Sequence, residues 1–190
     1  MLNFPSSGGG QPWARIDGRN GMMTVSGPDD QHTFDMKKQV FAFNVKGATQ
    51  GWLALANGRD WQPISNGQWG NPPSADHQPG VEIEIYSKSD DFGDSPIRVA
   101  SASSKAFTSF ISAIASKAGS DLPDDAWPTI RVDGVTTVKV GKGSSIDISF
   151  SLAPRDRWYK PEREASAAAP AEPKKKPLVE QNELGDDAEF

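Results

Sequence analysis

The sequence predicts a mainly β domain that carries one α-helix and is followed by a disordered C-terminal tail. Three observations support this fold class. Several segments alternate apolar and polar residues with the two-residue period of a half-buried strand. One segment has the spacing of a helix with a single buried stripe. The chain has 190 residues, enough for one domain with a core, but after residue 160 large apolar side chains become rare.

Five segments have strand periodicity, and stretches rich in Gly, Asn and Pro separate them. Every second residue in these segments is apolar, so one face of each strand can be buried. In the second segment, for example, Ile83 and Ile85 point inward and Tyr86 points outward. The predicted strands are QVFAFNV (39–45), VEIEIYSK (81–88), TIRVDG (129–134), TTVKV (136–140) and SIDISFSL (145–152).

Two segments between these strands are predicted to be non-regular. Residues 57–80 are polar and longer than most loops of compact domains, so they are expected to be functional or disordered. The VGKGS segment (140–144) contains two glycines and a lysine, but its glycine spacing does not match a phosphate-binding loop. A hairpin turn between two strands explains it better.

The single helix is predicted within SSKAFTSFISAIASKAGSDLP (103–123). Ser103 or Ser104 can cap its first turn, and Gly119 can adopt the positive φ that ends a helix. The apolar side chains recur at the spacing of one helical face. This predicted buried stripe consists of Phe107, Phe110, Ile111, Ile114 and Ala118.

The order of these elements favours an OB-like Greek-key β-barrel. That architecture places its one helix between the third and fourth strands, and oligonucleotides bind to its surface. A β-sandwich with an incidental helix is the alternative. The predicted organisation is a flexible N-terminus (1–11), an OB-like nucleic-acid-binding domain (12–160), and a disordered linker with an acidic tail (161–190).

The composition argues against several classes of function. The chain has no cysteine, which excludes disulfides, thiolate metal sites and cysteine nucleophiles. His32 and His77 are isolated in the sequence, and neither belongs to a metal-binding or hydrolase motif. No segment has the pattern of a signal peptide or a membrane span. We therefore expect a cytoplasmic protein that is not an enzyme and needs no cofactor or metal.

Charge is concentrated towards the C-terminus. The whole chain has a net charge of −5, but residues 161–190 contain four basic and eight acidic residues. The preceding 160 residues are therefore nearly neutral. This distribution leaves room for a nucleic-acid-binding surface on the domain, although the protein as a whole is acidic.

The aromatic residues indicate a partner for this domain. Of six tryptophans, Trp52 and Trp127 are expected to be structural, whereas Trp61 and Trp69 lie in the polar segment 57–80. Proteins that bind single-stranded nucleic acid combine exposed aromatic side chains, on which bases stack, with cations that contact phosphates. The candidate nucleic-acid-binding residues are Lys37, Lys38, Phe41, Phe43, Lys46, Arg59, Trp61, Trp69, Tyr86, Lys88, Arg131 and Lys139.

The outward carboxylates of the second predicted strand restrict where such a surface can lie. Glu82 and Glu84 alternate with its inward residues, so they would repel phosphates on that face. We therefore expect a nucleic-acid groove to use another face of the domain.

The layout of the chain resembles a known family. A β-domain with aromatic and basic residues precedes an Ala/Pro linker and an acidic segment that ends in phenylalanine. This layout resembles the single-stranded DNA-binding proteins of replication, most closely those encoded by phages. The residues that carry the resemblance in the tail are Glu183, Asp186, Asp187, Glu189 and Phe190.

The resemblance implies a non-catalytic, sequence-tolerant protein of DNA replication and recombination. The acidic tail would compete with DNA for the domain and would recruit replication proteins, such as a polymerase, helicase or primase. Homo-oligomers are compatible with the sequence. The alternative is a structural or assembly protein, such as a virion or scaffold component. A carbohydrate-binding domain is a further alternative, since tryptophans also stack on sugars.

Overall fold

The chain forms one large β-sheet with a single α-helix in a computed structural model. The structure describes residues 12–26, 31–56, 58–64, 67–93, 95–141 and 143–161. The sheet curls into an open half-barrel. The prediction of a mainly β fold with one helix is therefore confirmed.

Ten strands make up the sheet, and α1 (Lys105–Ala118) follows the eighth. Two short 3₁₀ turns, Asp90–Phe92 and Arg155–Arg157, lie between regular elements. The strands are β1 (Trp13–Ile16), β2 (Met22–Ser26), β3 (Gln31–Asp35), β4 (Val40–Phe43), β5 (Thr49–Ala54), β6 (Asp60–Pro63), β7 (Gln78–Tyr86), β8 (Ile97–Ala102), β9 (Thr129–Val140) and β10 (Gly143–Leu152).

The main path of the sheet runs in the order β10-β9-β4-β7-β8-β1-β2-β3. All neighbouring pairs are antiparallel except β1 and β8, which are parallel. The strands β4 and β5 lie one after the other along the same edge of β7. Phe43 is opposite Ile85, and Thr49 is opposite Glu82. The strand β6 then pairs with β5, so a small β5–β6 hairpin extends this end of the sheet.

The core lies between the apolar face of the sheet and α1. The ring of Phe110 makes edge-on contacts with Phe43 and Phe150, at centroid distances of 5.6 and 5.5 Å. Phe41 also packs edge-on against Phe43. Aromatic pairs in this geometry are stabilised beyond their buried area. The strands β4 and β10 are therefore held to the helix by one aromatic cluster.

The helix agrees with its prediction. Ser104 is the N-cap, and its side chain accepts a hydrogen bond from the amide of Phe107. The five predicted stripe residues are the buried residues of the helix. Gly119 ends it with a φ of 89°, a conformation that residues with a side chain rarely adopt.

The structure differs from the predicted elements in three places. Residues 129–140 form one strand instead of two, since Gly134 continues the β9–β10 ladder at a bulge next to Ser149. The segment 57–80 contains β6 and the first residues of β7 instead of being loop throughout. The helix follows the eighth strand instead of the third, because six short strands had no recognisable alternation. The predicted hairpin turn at 140–144 joins β9 to β10.

Two predicted segments lie outside the described residues. These are the N-terminus (1–11) and the acidic tail, of which only Pro161 in the predicted range 161–190 is described.

Candidate nucleic-acid interface

An open groove of about 640 Å³ lies between α1 and the end of the sheet formed by β5 and β7. Its lining includes Val81, Ile111 and the exposed Trp69. Val81 and its neighbours on this face alternate with Glu82 and Glu84, so the groove is on the other face of β7 from these carboxylates. This placement agrees with the expectation that a groove for an anionic ligand avoids them.

Trp69 is the main aromatic side chain of the groove. It is 44% exposed, and among the described residues it is the one tryptophan that counts as exposed. Its ring meets the ring of Trp52 at 82°, with 5.0 Å between centroids. This edge-to-face contact fixes the position of the Trp69 indole, and its 44% exposure leaves ring surface available to a flat ligand.

The polar lining of the groove is almost uncharged. Hydroxyl and amide side chains line it, including Thr108 and Ser112 of α1 and Gln50 of β5. Lys105, at the first position of α1, is the one charged residue among the described lining residues. Lys105 is exposed, so its ammonium group is open to an anionic ligand in the groove. The groove thus combines a stacking surface with one cation.

His77 anchors the segment that carries Trp69. It is 7% exposed, and its Nδ1 lies 2.8 Å from the hydroxyl of Ser74. On the other side of the ring, Nε2 lies 3.2 Å from a carboxylate oxygen of Asp60 in β6, without hydrogen-bond geometry. These contacts hold the segment between β6 and β7 against the hairpin and so restrict where Trp69 can lie.

Trp61 lies on the opposite face of the sheet. It is paired with Leu53, whereas Trp52 is paired with Gln62, so alternation places Trp61 and Trp52 on different faces. Trp69 contacts Trp52 and is therefore on the groove side. The sequence predicted both Trp61 and Trp69 as binding residues, but the structure does not bring them together.

Two paired glycines provide the surface on which Trp61 packs. Gly51 of β5 is opposite Gly80 of β7. A β-carbon at Gly51 would lie 2.8 Å from the Trp61 ring, and one at Gly80 would lie 3.4 Å from it. The absence of side chains at both positions therefore lets the indole approach the backbone of the sheet.

Substitution of Gly51 by alanine is expected to destabilise the domain by about 1–3 kcal/mol, because the new methyl group overpacks this site. The β-carbon would be 2.5 Å from the backbone oxygen of Gln62 as well as close to Trp61, so β6 must move. Urea unfolding followed by circular dichroism measures the change. Gly70→Ala is the matched control, since no atom lies within 4 Å of its β-carbon. Equal stability of the two variants would contradict the packing described here.

Arg59 lies on the same face as Trp61 and is already bound within the protein. It forms an ion pair with Glu82, and its Nε and Nη2 donate to the hydroxyl of Ser101 at 3.1 and 3.0 Å. Burial lowers the pKa of the Arg59 guanidinium from its ordinary value. Contact between Arg59 and a phosphate would have to compete with Glu82.

Two other predicted cations also have carboxylate partners. Lys46 pairs with Asp124, and Arg131 pairs with Asp133 at 3.0 Å. A hydrogen bond from Ser151 lowers the pKa of Asp133, and Arg131 lowers it further, which keeps this carboxylate ionised. These pairs are exposed, so each contributes little to stability and remains exchangeable.

The remaining predicted lysines are exposed, and none has an ion pair with another described residue. Lys37 and Lys38 form the turn before β4, where Lys38 has an unusual positive φ of 69°. Lys88 follows β7, and Lys139 lies near the tip of β9. The first three lie near the Tyr86 end of β7, whereas the groove lies near Gly80. About 20 Å separates these ends of the strand.

Three of the predicted aromatic residues have partners inside the protein. Phe41 and Phe43 have no exposed surface, so their inclusion among the binding residues is corrected: they belong to the core. Both faces of β4 are covered at this point, since Ala42 is buried as well. Tyr86 does point outward, but Tyr159 stacks on it at 3.5 Å between centroids.

Sequence reasoning missed Lys105 as part of the groove and Trp52 as the residue that supports Trp69. Trp52 was expected to be structural, and it is half-buried, but its contact is with Trp69. Lys105 directly follows the cap residue Ser104, so the helix boundary could have identified it as the first residue of α1. Its position beside the β5–β7 end depends on tertiary packing.

Comparisons with protein-family models, with curated proteins and with solved structures find no match to this chain. Among the described residues, no helix is long and apolar enough to cross a membrane, and no group of three or more potential metal ligands occurs.

Proposed function

We propose that this protein is a non-catalytic, sequence-tolerant single-stranded DNA-binding protein that acts in DNA replication or recombination. The observation that carries the proposal is the open groove whose lining includes the exposed Trp69 and Lys105. The layout that the sequence shares with phage-type single-stranded DNA-binding proteins supports the same function.

The chemistry of the groove suits an unpaired base. Every base has a flat π-surface, so stacking on Trp69 would contribute about 1–3 kcal/mol without a strong preference for sequence. A phosphate next to that base would bind Lys105. The groove lies on the face of β7 that excludes Glu82 and Glu84, so these two carboxylates do not line it.

The acidic segment 183–190, which lies outside the described residues, has a separate role in this proposal. Residues 180–190 contain five carboxylates and no cation. Attached to the same chain, they are present near the domain at a high effective concentration and compete with DNA for its lysines. When DNA displaces them, the carboxylates and the Phe190 ring become available to replication proteins.

A titration with single-stranded DNA tests the function. We expect a dT oligonucleotide to quench the tryptophan fluorescence, and its affinity to fall as salt concentration rises. A chain that stops at Glu180 should bind more tightly at low salt, because it lacks four of the five competing carboxylates. Lys105→Ala should reduce the slope of log affinity against log salt by about 0.7.

The controls separate the alternatives. Duplex DNA of the same length should bind more weakly, since its bases are already stacked. Affinity for the oligonucleotide that does not depend on salt, or no affinity at all, would contradict the proposal. Binding of a polysaccharide with no effect of salt would instead favour a carbohydrate-binding domain.

A structural or assembly protein is the second candidate, and one observation favours it. Val138 and Val140 near the tip of β9 are 37% and 60% exposed. Exposed β-branched residues on a strand commonly mark a protein contact or an aggregation hazard. Stable assemblies with no response to oligonucleotides would favour this candidate.

A further inference from the structure

Beyond Val132, the strand β9 pairs with β10 and with no other described strand, while the inner face of this ribbon still packs on the core through Val135, Ile146 and Ile148. The last contacts between β9 and the β4 side are the backbone hydrogen bonds of Val132 with Lys38 and Gln39, at 2.8 and 3.0 Å. From Asp133 to Val140, the only strand partner of β9 among the described residues is β10. We call residues 133–149, apart from Lys142 outside the described set, the β9–β10 arm.

The outer edge of β10 is the end of the sheet. The ten residues of β10 pair with β9 along one side of the strand, and no described strand pairs with its other side. Unpaired edges of this length readily accept a further strand.

Among the described residues, the fold protects this edge near the C-terminal end of β10. Near the end of β10, Lys117 of α1 donates to the backbone oxygen of Phe150 at 3.2 Å and lies over its ring. A bulge interrupts the ladder between Ser149 and Phe150. From Gly143 to Ile148, the described part of the arm has neither a lysine contact of this kind nor a bulge. This stretch also contains no Pro or Lys.

We propose that the unprotected half of β10 pairs with the same strand of a second copy of this chain, antiparallel about a two-fold axis. A two-fold interface brings a surface onto itself, so it must avoid like charges at equivalent positions. From Gly143 to Ser149 there is one charge, on Asp147. With Ile146 or Ile148 on the axis, Asp147 lies opposite Ser145 or Ser149 of the other copy, and no two carboxylates meet.

The charge of the arm also argues against nucleic acid at this edge. On the face shared by Val138 and Ser145, the described charges of the arm are those of Asp147 and of Asp133. Asp133 is paired with Arg131, and Lys139 is on the other face. A phosphate backbone would be repelled by Asp147, whereas the strand of a second copy places Ser145 or Ser149 opposite this carboxylate. The paired copies would form a continuous ribbon in the order β9-β10-β10-β9.

Light scattering coupled to size-exclusion chromatography tests the proposal on the full chain without DNA. We expect a mass of about twice 20.5 kDa across a concentration series. The double variant Ser145→Asp/Ser149→Asp should be monomeric at the same concentrations, because in either register a new carboxylate faces Asp147 of the other copy. Circular dichroism verifies that the variant remains folded.

Val138→Asp/Val140→Asp is the matched control. It adds the same charge to the arm, but on β9, one strand away from the edge. We expect this control to remain dimeric. A monomeric wild-type chain, a dimer that survives the β10 substitutions, or an equal loss of the dimer in both variants would overturn the proposal. None of these outcomes depends on whether the protein binds DNA.

Discussion

Replacement of Trp69 by alanine is expected to weaken binding of a dT oligonucleotide about 5- to 150-fold, which corresponds to the loss of about 1–3 kcal/mol of base stacking. Trp69 is the most suitable stacking residue described, because it is 44% exposed and lines the groove. Anisotropy of a fluorescein-labelled oligonucleotide measures the affinity without relying on the remaining tryptophans.

Two controls define what this loss means. Trp69→Phe keeps an aromatic ring and should retain most of the affinity. Leu55→Ala shortens another exposed apolar residue, 37% exposed, which does not line the groove, and should leave the affinity unchanged. If Trp69→Ala binds as tightly as the wild-type chain, the groove is not the site of stacking, even if the protein binds DNA elsewhere.

Replacement of Phe110 by alanine is expected to lower the free energy of unfolding by about 3–5 kcal/mol. Phe110 is 4% exposed and contacts Phe43 and Phe150, so its removal leaves a cavity between α1 and two strands. Urea unfolding gives the value, provided that the variant folds in the absence of denaturant.

Phe110→Leu provides the matched comparison, since a smaller loss of volume should cost less than the alanine substitution. An exposed position of the same helix, Ser109→Ala, should have little effect. A loss below about 1 kcal/mol for Phe110→Ala would mean that the helix is not packed against β4 and β10 as described.

The helix could be predicted closely because its information is local. Its apolar spacing, its cap at Ser104 and its terminal Gly119 all lie within one short segment. The strand β7 was also predictable from alternation, and Ile83 and Ile85 are buried as expected. Both elements have enough residues for their period to be visible.

Several strands could not be predicted because their stabilisation is not local. The four residues of β1 are too few to show a period, and the strand pairs with β8, more than eighty positions later in the chain. The strand β5 contains Gly51, which disfavours a strand locally but is required beneath Trp61. In both cases tertiary pairing decides the structure.

The candidate site was predictable only where local composition identifies it, and the rest of it depends on tertiary pairing. The composition of segment 57–80 identified Trp69 as an aromatic residue without an evident place in the core. The separation of Trp61 from Trp69 depends on the register of β5 with β6, and a shift of one residue would reverse it. The role of Lys105 depends on where α1 packs.

The arrangement of β4 and β5 along β7 has a consequence for local unfolding. One half of β7 is bonded to β4, beside the aromatic core, and the other half is bonded to the peripheral β5–β6 hairpin. Fraying of that hairpin would expose the amides of β7 near Gly80 while those near Ile85 stay protected. A single strand would thus belong to two cooperative units of different stability, and a ligand in the groove would stabilise only the weaker of them.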